Sequence, residues 1–169
     1  MKNRILFLIL FFWSCTSVSQ DAYILKAGDT IKIHVFNEEE LSLETKVDLS
    51  GTINFPFVGE VEIANKTSKE VEEIIKLKLK DGYLVNPEVN VSVLEYRPFY
   101  INGQVKSPGG FPYRPNMTVS MGIALAGGLT DSASRSDWFI KRSSEKKEKV
   151  TGESYIYPGD ILIIERSFF

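Results

Sequence analysis

The carboxylates are the side chains present in numbers that could support catalysis: Glu38-Glu39-Glu40, Glu72-Glu73 and Asp131. Cleavage of a glycosidic bond needs two such groups facing each other across the bond, one of them with a raised pKa. Their settings argue against that use. Glu38 to Glu40 follow an alternating run and read as a loop. Glu72 and Glu73 fall on the outer side of an amphipathic helix, where burial does not lift a pKa. His34, the single histidine, has no Cys or second His nearby, so a zinc site is not indicated. The motifs Gly-x-Ser-x-Gly and Gly-x-x-x-x-Gly-Lys-Ser/Thr are both missing, which removes a hydrolase nucleophile elbow and a phosphate-binding loop. The residues specify no catalytic site, no metal and no cofactor.

The leader sets the compartment. Lys2 and Arg4 precede an apolar run from Ile5 to Trp13, well short of the roughly 20 residues a membrane-spanning helix needs. Residues 1–20 therefore read as a secretory signal peptide. Two processing sites stand open. Ser17-Val18-Ser19 suits a cut before Gln20 and a soluble periplasmic product, whereas Phe12-Trp13-Ser14-Cys15 resembles a lipobox and makes Cys15 a candidate for lipidation. Cys15 is the only cysteine, so export to an oxidising compartment brings no intrachain disulfide and the fold must hold by burial. Loss of Lys2 and Arg4 with the leader moves the net charge from −2 to −4. That balance offers no basic face for phosphates and excludes nucleic acid as a partner.

The elements that position these residues read as strands framing two short helices. Tyr23 to Lys26 leads into the tight turn Ala27-Gly28-Asp29, and Thr30 to Phe36 then alternates, with Ile31, Ile33 and Val35 on one face and His34 on the other. Thr45 to Leu49 and Thr52 to Phe57 read as a hairpin across Ser50-Gly51, with Phe55, Phe57 and Val58 adding bulk to a core. Thr67 and Glu70 form a capping box for a helix over Ser68 to Lys80, whose Val71, Ile74, Ile75 and Leu79 share one face. After the Asn86-Pro87 turn, Val89, Val91 and Val93 mark a strand running to about Tyr96. Arg97-Pro98 is the expected boundary.

A second unit opens with a strand from Phe99 to Val105 and turns at Pro108-Gly109-Gly110. A short helix follows from about Val119 to Ala126, capped by Thr118 and ended by Gly127. A strand over Asp137 to Arg142 comes next, then a charged run from Ser143 to Lys149 that reads as a solvated hairpin tip. Tyr157-Pro158-Gly159-Asp160 feeds a last strand, Ile161 to Ile164, and echoes Gly28-Asp29 over too short a stretch to establish a repeat. The reading is α+β: two small mixed β-sheet units, each with a short helix.

Here a resemblance becomes specific. Tyr23-x-Leu25-x-Ala27-Gly28-Asp29, Ser50-Gly51-Thr52-Ile53, Pro56-Phe57-Val58-Gly59-Glu60-Val61, the capped helix and Asn86-Pro87-x-Val89 resemble the polysaccharide biosynthesis/export domain, here residues 21–97. Gly103-x-Val105-x-x-Pro108-Gly109 and Ala124-x-Ala126-Gly127-Gly128-Leu129-Thr130 resemble the soluble-ligand-binding β-grasp (SLBB) domain, here residues 98–169. In this order the two are similar to outer-membrane polysaccharide export proteins of the capsule-translocon type. The resemblance makes Gly28, Asp29, Gly51, Pro56, Gly59, Pro87, Gly103, Pro108, Gly109, Gly127, Gly128, Gly159 and Asp160 structural turn residues rather than reactive ones.

What the resemblance implies is a usually lipidated protein on the periplasmic face of the outer membrane. It assembles into a homo-oligomeric ring and conducts capsular polysaccharide or exopolysaccharide, with energy from an inner-membrane polysaccharide co-polymerase or chain-length partner. Longer family members add a second β-grasp domain and a C-terminal amphipathic helix, whereas this sequence ends at Ser167-Phe168-Phe169. The expectation is therefore that this protein builds only the periplasmic part of a conduit, or hands polymer to a separate outer-membrane component. Lys66, Lys69, Lys106, Arg114 and Arg135 are polar candidates near turns, read first as solvated side chains, and the residues of glycan contact are unknown. The alternative is a periplasmic glycan-binding or sensing module, which an exposed stacking platform would favour; Phe99, Tyr100, Phe111 and Tyr113 are available for one, though aromatics at such positions are more often core.

Overall fold

A computed structural model describes residues 23–142 and 146–167; Cys15, both processing sites and Phe168-Phe169 lie outside these. The first half of the chain contains β1 (Thr30–Val35), β2 (Leu43–Lys46), β3 (Thr52–Phe55), β4 (Gly59–Glu62), helix α1 (Ser68–Lys80) and β5 (Val89–Glu95). Strict alternation puts Ile31, Ile33 and Val35 wholly out of solvent on β1, the middle strand of an antiparallel sheet ordered β2-β1-β5. Helix α1 lays Val71, Ile75 and Leu79 on this core. Its start follows the expected capping box: Thr67 Oγ1 accepts the Glu70 N–H at 3.2 Å, and Glu70 Oε2 accepts the Thr67 N–H at 2.7 Å. The Thr67 backbone N–H, and after it the Thr67 hydroxyl, hold the Glu70 carboxyl below the usual range.

One expected pairing is replaced. The segments on either side of Ser50-Gly51 do not form a hairpin; β2 pairs with β1, and β3 pairs with β4 across Pro56-Phe57-Val58. The reason lies in the Asp48 carboxylate, which accepts the Thr52 N–H at 2.9 Å and the Ser50 hydroxyl at 2.6 Å and closes a local turn that redirects the chain. Phe55 enters the core as expected, but Phe57 does not: it sits at the hairpin tip with φ +63° and is 68% exposed. Glu39–Leu41 form one turn of 3-10 helix rather than open loop.

The second half holds β6 (Phe99–Gly103), β7 (Gly109–Phe111), α2 (Val119–Leu125), β8 (Ala133–Lys141), β9 (Lys147–Val150) and β10 (Ile161–Arg166). These five strands make one sheet ordered β7-β6-β10-β8-β9, in which β10 runs parallel to β6 and antiparallel to β8. Helix α2 starts where Thr118 Oγ1 accepts the Met121 N–H and packs Val119 and Ile123 on a second core with Phe99, Ile101, Ile140, Ile156 and Leu162. Two expectations shift. Gly109 and Gly110 belong to β7, opposite Ile101 and Tyr100, because a residue without Cβ at Gly110 lets the Tyr100 ring lie across the strand. The charged run after Arg142 is partly strand, since Lys147 to Lys149 pair with Lys141 to Phe139. The two cores, each under its own sheet and helix, make the fold α+β.

Candidate functional site

The two halves meet at Arg97, which two similar turns hold between them. In the first, Asp29 is fully buried and accepts the Lys26 N–H (2.9 Å), the Tyr23 hydroxyl (2.8 Å) and the Arg97 N–H (2.9 Å), with Arg97 Nη1 at 3.2 Å from Oδ2. In the second, Asp160 is 3% exposed, accepts the Tyr157 N–H at 2.9 Å and faces Arg142 Nε at 3.3 Å. Arg97 lies over the Tyr23 ring at 5.9 Å and Arg142 over the Tyr157 ring at 5.2 Å. The backbone repeats the likeness. Asp29 N–H bonds to Lys26 O and Asp160 N–H to Tyr157 O, while Gly28 and Gly159 follow positive φ of 93° and 86°.

Gly159 is where the joint needs the smallest residue. A Cβ there would stand 2.8 Å from Arg97 Nε, so a side chain would displace the guanidinium that pairs with Asp29. Burial and the bond to Asp29 push the Tyr23 hydroxyl pKa far up, which keeps it a donor. Burial likewise raises Asp160, against the pull of the Tyr157 N–H and Arg142. A cleft of about 200 Å³ opens on the joint, lined by Lys26, Arg97, Arg142 and Tyr157 among others. Its arginines are committed: Arg97 to Asp29, and Arg142 to both Asp160 and Glu148.

The other motif residues are dispersed turns. Gly51, Gly59, Gly103, Gly109, Gly127 and Gly128 all have positive φ, and they lie at separate corners of both units. Pro56 opens the β3–β4 turn, and Pro87 precedes β5. Pro108 directly precedes β7. The carboxylates weighed for catalysis are not gathered. Glu72 accepts the Val91 N–H at 2.8 Å, Glu73 pairs with Lys76, and Asp131 lies in the second unit. His34 Nδ1 meets Ser42 Oγ at 3.1 Å on the polar face of β1. Among the described residues no group of three or more His, Asp or Glu side chains is placed to hold a metal ion.

The expected aromatic platform is not assembled either. Phe99 is fully buried, Phe111 and Tyr113 pack against the core, and Tyr100 is about half exposed. Of the polar candidates, Lys66 and Lys69 share one hollow of about 710 Å³ at the start of α1, while Arg135 lies in the other unit. Trp138 also packs against the second core, but part of it lines two adjoining hollows. It was legible only as one residue of a strand, because nothing in its local pattern marks which face opens to solvent.

Comparison with known proteins adds the decisive observation. Residues 17–94 match the family described as polysaccharide biosynthesis/export protein, and residues 98–154 match the SLBB domain. The chain is thus similar to polysaccharide biosynthesis/export proteins over its first half and to the SLBB domain over its second. The gap between the two matches contains Arg97, the residue held between the two turns. Among its relatives, the exopolysaccharide production protein ExoF of Rhizobium meliloti is 42% identical over 82 residues, 47% of this chain and 20% of that protein. The polysialic acid transport protein KpsD of Escherichia coli is 27% identical over 142 residues, 82% of this chain and 25% of that protein. The EPS I polysaccharide export outer membrane protein EpsA of Ralstonia nicotianae is 30% identical over 112 residues, 52% of this chain and 29% of that protein. The chain thus spans less than a third of the length of these relatives.

Proposed function

We propose that this protein is a non-enzymatic component of a polysaccharide export conduit, on the periplasmic face of the outer membrane. The observation that carries the reading is the succession of the two family matches along one chain, joined at Arg97. The names of the relatives, which speak of exopolysaccharide production, polysialic acid transport and polysaccharide export at the outer membrane, support the substrate class and the compartment. In this reading the chain divides at Arg97-Pro98, Cys15 carries a lipid anchor, and copies form a ring around a polar lumen. Identical chains contacting head to tail close such a ring. A lumen of solvated side chains suits a passing polymer, because strong contacts repeated along it would multiply and stop it. An inner-membrane co-polymerase supplies the drive, and the carboxylates serve structure rather than catalysis.

Deletion of the gene, followed by separate measurement of surface and intracellular polysaccharide, tests the reading. Loss of surface polymer with continued synthesis is expected, and complementation with Cys15→Ala then reports on the anchor. Unchanged surface polymer, with no second gene covering the loss, would overturn export and leave a glycan-binding module.

A further inference from the structure

Trp138 on β8 is held rigidly. Its indole Nε1–H donates to the Ser134 carbonyl at 2.7 Å. Ser134 Oγ accepts the N–H groups of Ser136 and Asp137 and donates to Asp137 Oδ2 at 2.9 Å; Asp137 Oδ1 in turn pairs with Lys149 Nζ at 2.9 Å. The side chain packs against the second core and is only partly buried. Two hollows of about 510 Å³ each adjoin it, and both are lined by Arg135 and Trp138 together. Thr130 and Asp131 line the first; Lys149 and Thr151 line the second. Arg135 is exposed and, among the described residues, has no hydrogen-bond or ion-pair partner.

We propose that Trp138 and Arg135 form a contact site for an acidic sugar unit of the exported polymer, the pyranose face lying on the indole and the sugar carboxylate on Arg135. A sugar ring offers a C–H face to an aromatic plane and hydroxyls at its edge, and the pinned indole supplies that plane without an ordering cost on binding. The guanidinium fork matches a carboxylate with two parallel bonds. Asp131 repels a carboxylate from the first hollow and accepts sugar hydroxyls there. The second hollow, with Arg135 and Lys149, takes the acidic group. With part of the ring on the second core and part facing the hollows, the site touches one unit of a chain that continues past it. This inference rests on the export reading for its polymer, but not for its test.

The chain has two tryptophans, Trp13 and Trp138, so the full chain carrying Trp13→Phe makes Trp138 the sole indole reporter. Titration with trigalacturonate should give a saturating change in its fluorescence with Kd of about 1 mM. Maltotriose, which lacks the carboxylates, should bind several-fold more weakly. Arg135→Gln leaves the core untouched and should weaken trigalacturonate about tenfold, the loss of one charge-assisted pairing. A fluorescence response to neither sugar, or one that Arg135→Gln leaves unchanged, would overturn the site. The two readings fail separately. Lost surface polymer in the deletion strain with a silent Trp138 removes the site and keeps export, whereas a responding Trp138 with normal surface polymer keeps the site and removes export.

Discussion

Asp29 and Asp160 occupy corresponding corners of two turns, each accepting at 2.9 Å the N–H of the residue three positions earlier and each facing an arginine. The correspondence reaches the neighbouring chain: Asp29 O accepts the Val47 N–H and Asp160 O the Tyr100 N–H, both at 2.8 Å. Arg97 belongs to both turns, bonded to Asp29 and packed against Gly159. A strand entered through such a turn has its first carbonyl and its sharpest bend fixed by one carboxylate. The same device therefore starts one strand in each unit, β1 and β10, and joins the two units.

Removing Arg97 tests the joint. Arg97→Ala leaves the fully buried Asp29 charge without its ion pair, a loss of about 3–5 kcal/mol when one member of a buried pair is deleted. Denaturant melts should show that drop, and adding Asp29→Asn to Arg97→Ala should recover part of it by removing the orphaned charge. Equal stability of Arg97→Ala and the parent would show that the pair contributes nothing to the joint.

Asp160 sets a pH dependence of opposite sign to the capped carboxylates. Burial raises its folded-state pKa above an unfolded value of about 3.9, so its contribution is fully present below that value and fades as pH rises through the raised one. Glu70, Asp48 and Asp137 are held low, so theirs are present above the ordinary carboxylate range and fade as pH falls through their depressed values. The Tm of the parent minus that of Asp160→Asn should therefore decline as pH rises from about 3.5 toward neutrality. A difference that is flat or grows over that range would contradict the assignment.

Some of this was open to reading in the chain and some was not, for physical reasons. The capping box at Thr67 and Glu70 and the alternation of Ile31, Ile33 and Val35 are local signals, and their elements fall where the pattern puts them. Strand partnership is not local. Thr45 to Leu49 carried strand-like residues, but its neighbour was decided by the Asp48 turn and by β1 rather than by proximity in sequence. Ser50-Gly51 looked like a hairpin turn for the same reason. The likeness of Gly28-Asp29 to Gly159-Asp160 was visible as two letters, whereas the shared geometry needed Arg97, 68 residues from Asp29, to show itself. Trp138 was invisible as a surface feature because exposure depends on how β8 and β9 pair.

Gly103 ends β6 at a close approach. It has φ +91°, and a Cβ there would run into the Ile164 carbonyl of the neighbouring β10. Gly103→Ala combines a disfavoured backbone with that clash and should cost at least about 1–3 kcal/mol. Gly128→Ala has equally positive φ but open space around it, and it should cost less. Thermal melts of the two variants separate the clash from the backbone term. Equal losses would mean that β10 moves aside at no cost.

Glu72 protects an open edge. β5 is the last strand of its sheet, and the Glu72 carboxylate, reaching from α1, accepts the Val91 N–H that no further strand can take. Val91 is buried, so Glu72→Ala strands a backbone donor away from water at about 1–3 kcal/mol. Glu72→Gln keeps a carbonyl acceptor at the same place and should retain most of the stability. Hydrogen exchange reads the site directly: the Val91 amide should exchange faster in Glu72→Ala and stay near the parent rate in Glu72→Gln. If both variants exchanged alike, the helix would be covering the edge by packing alone, and the carboxylate would have no part in it.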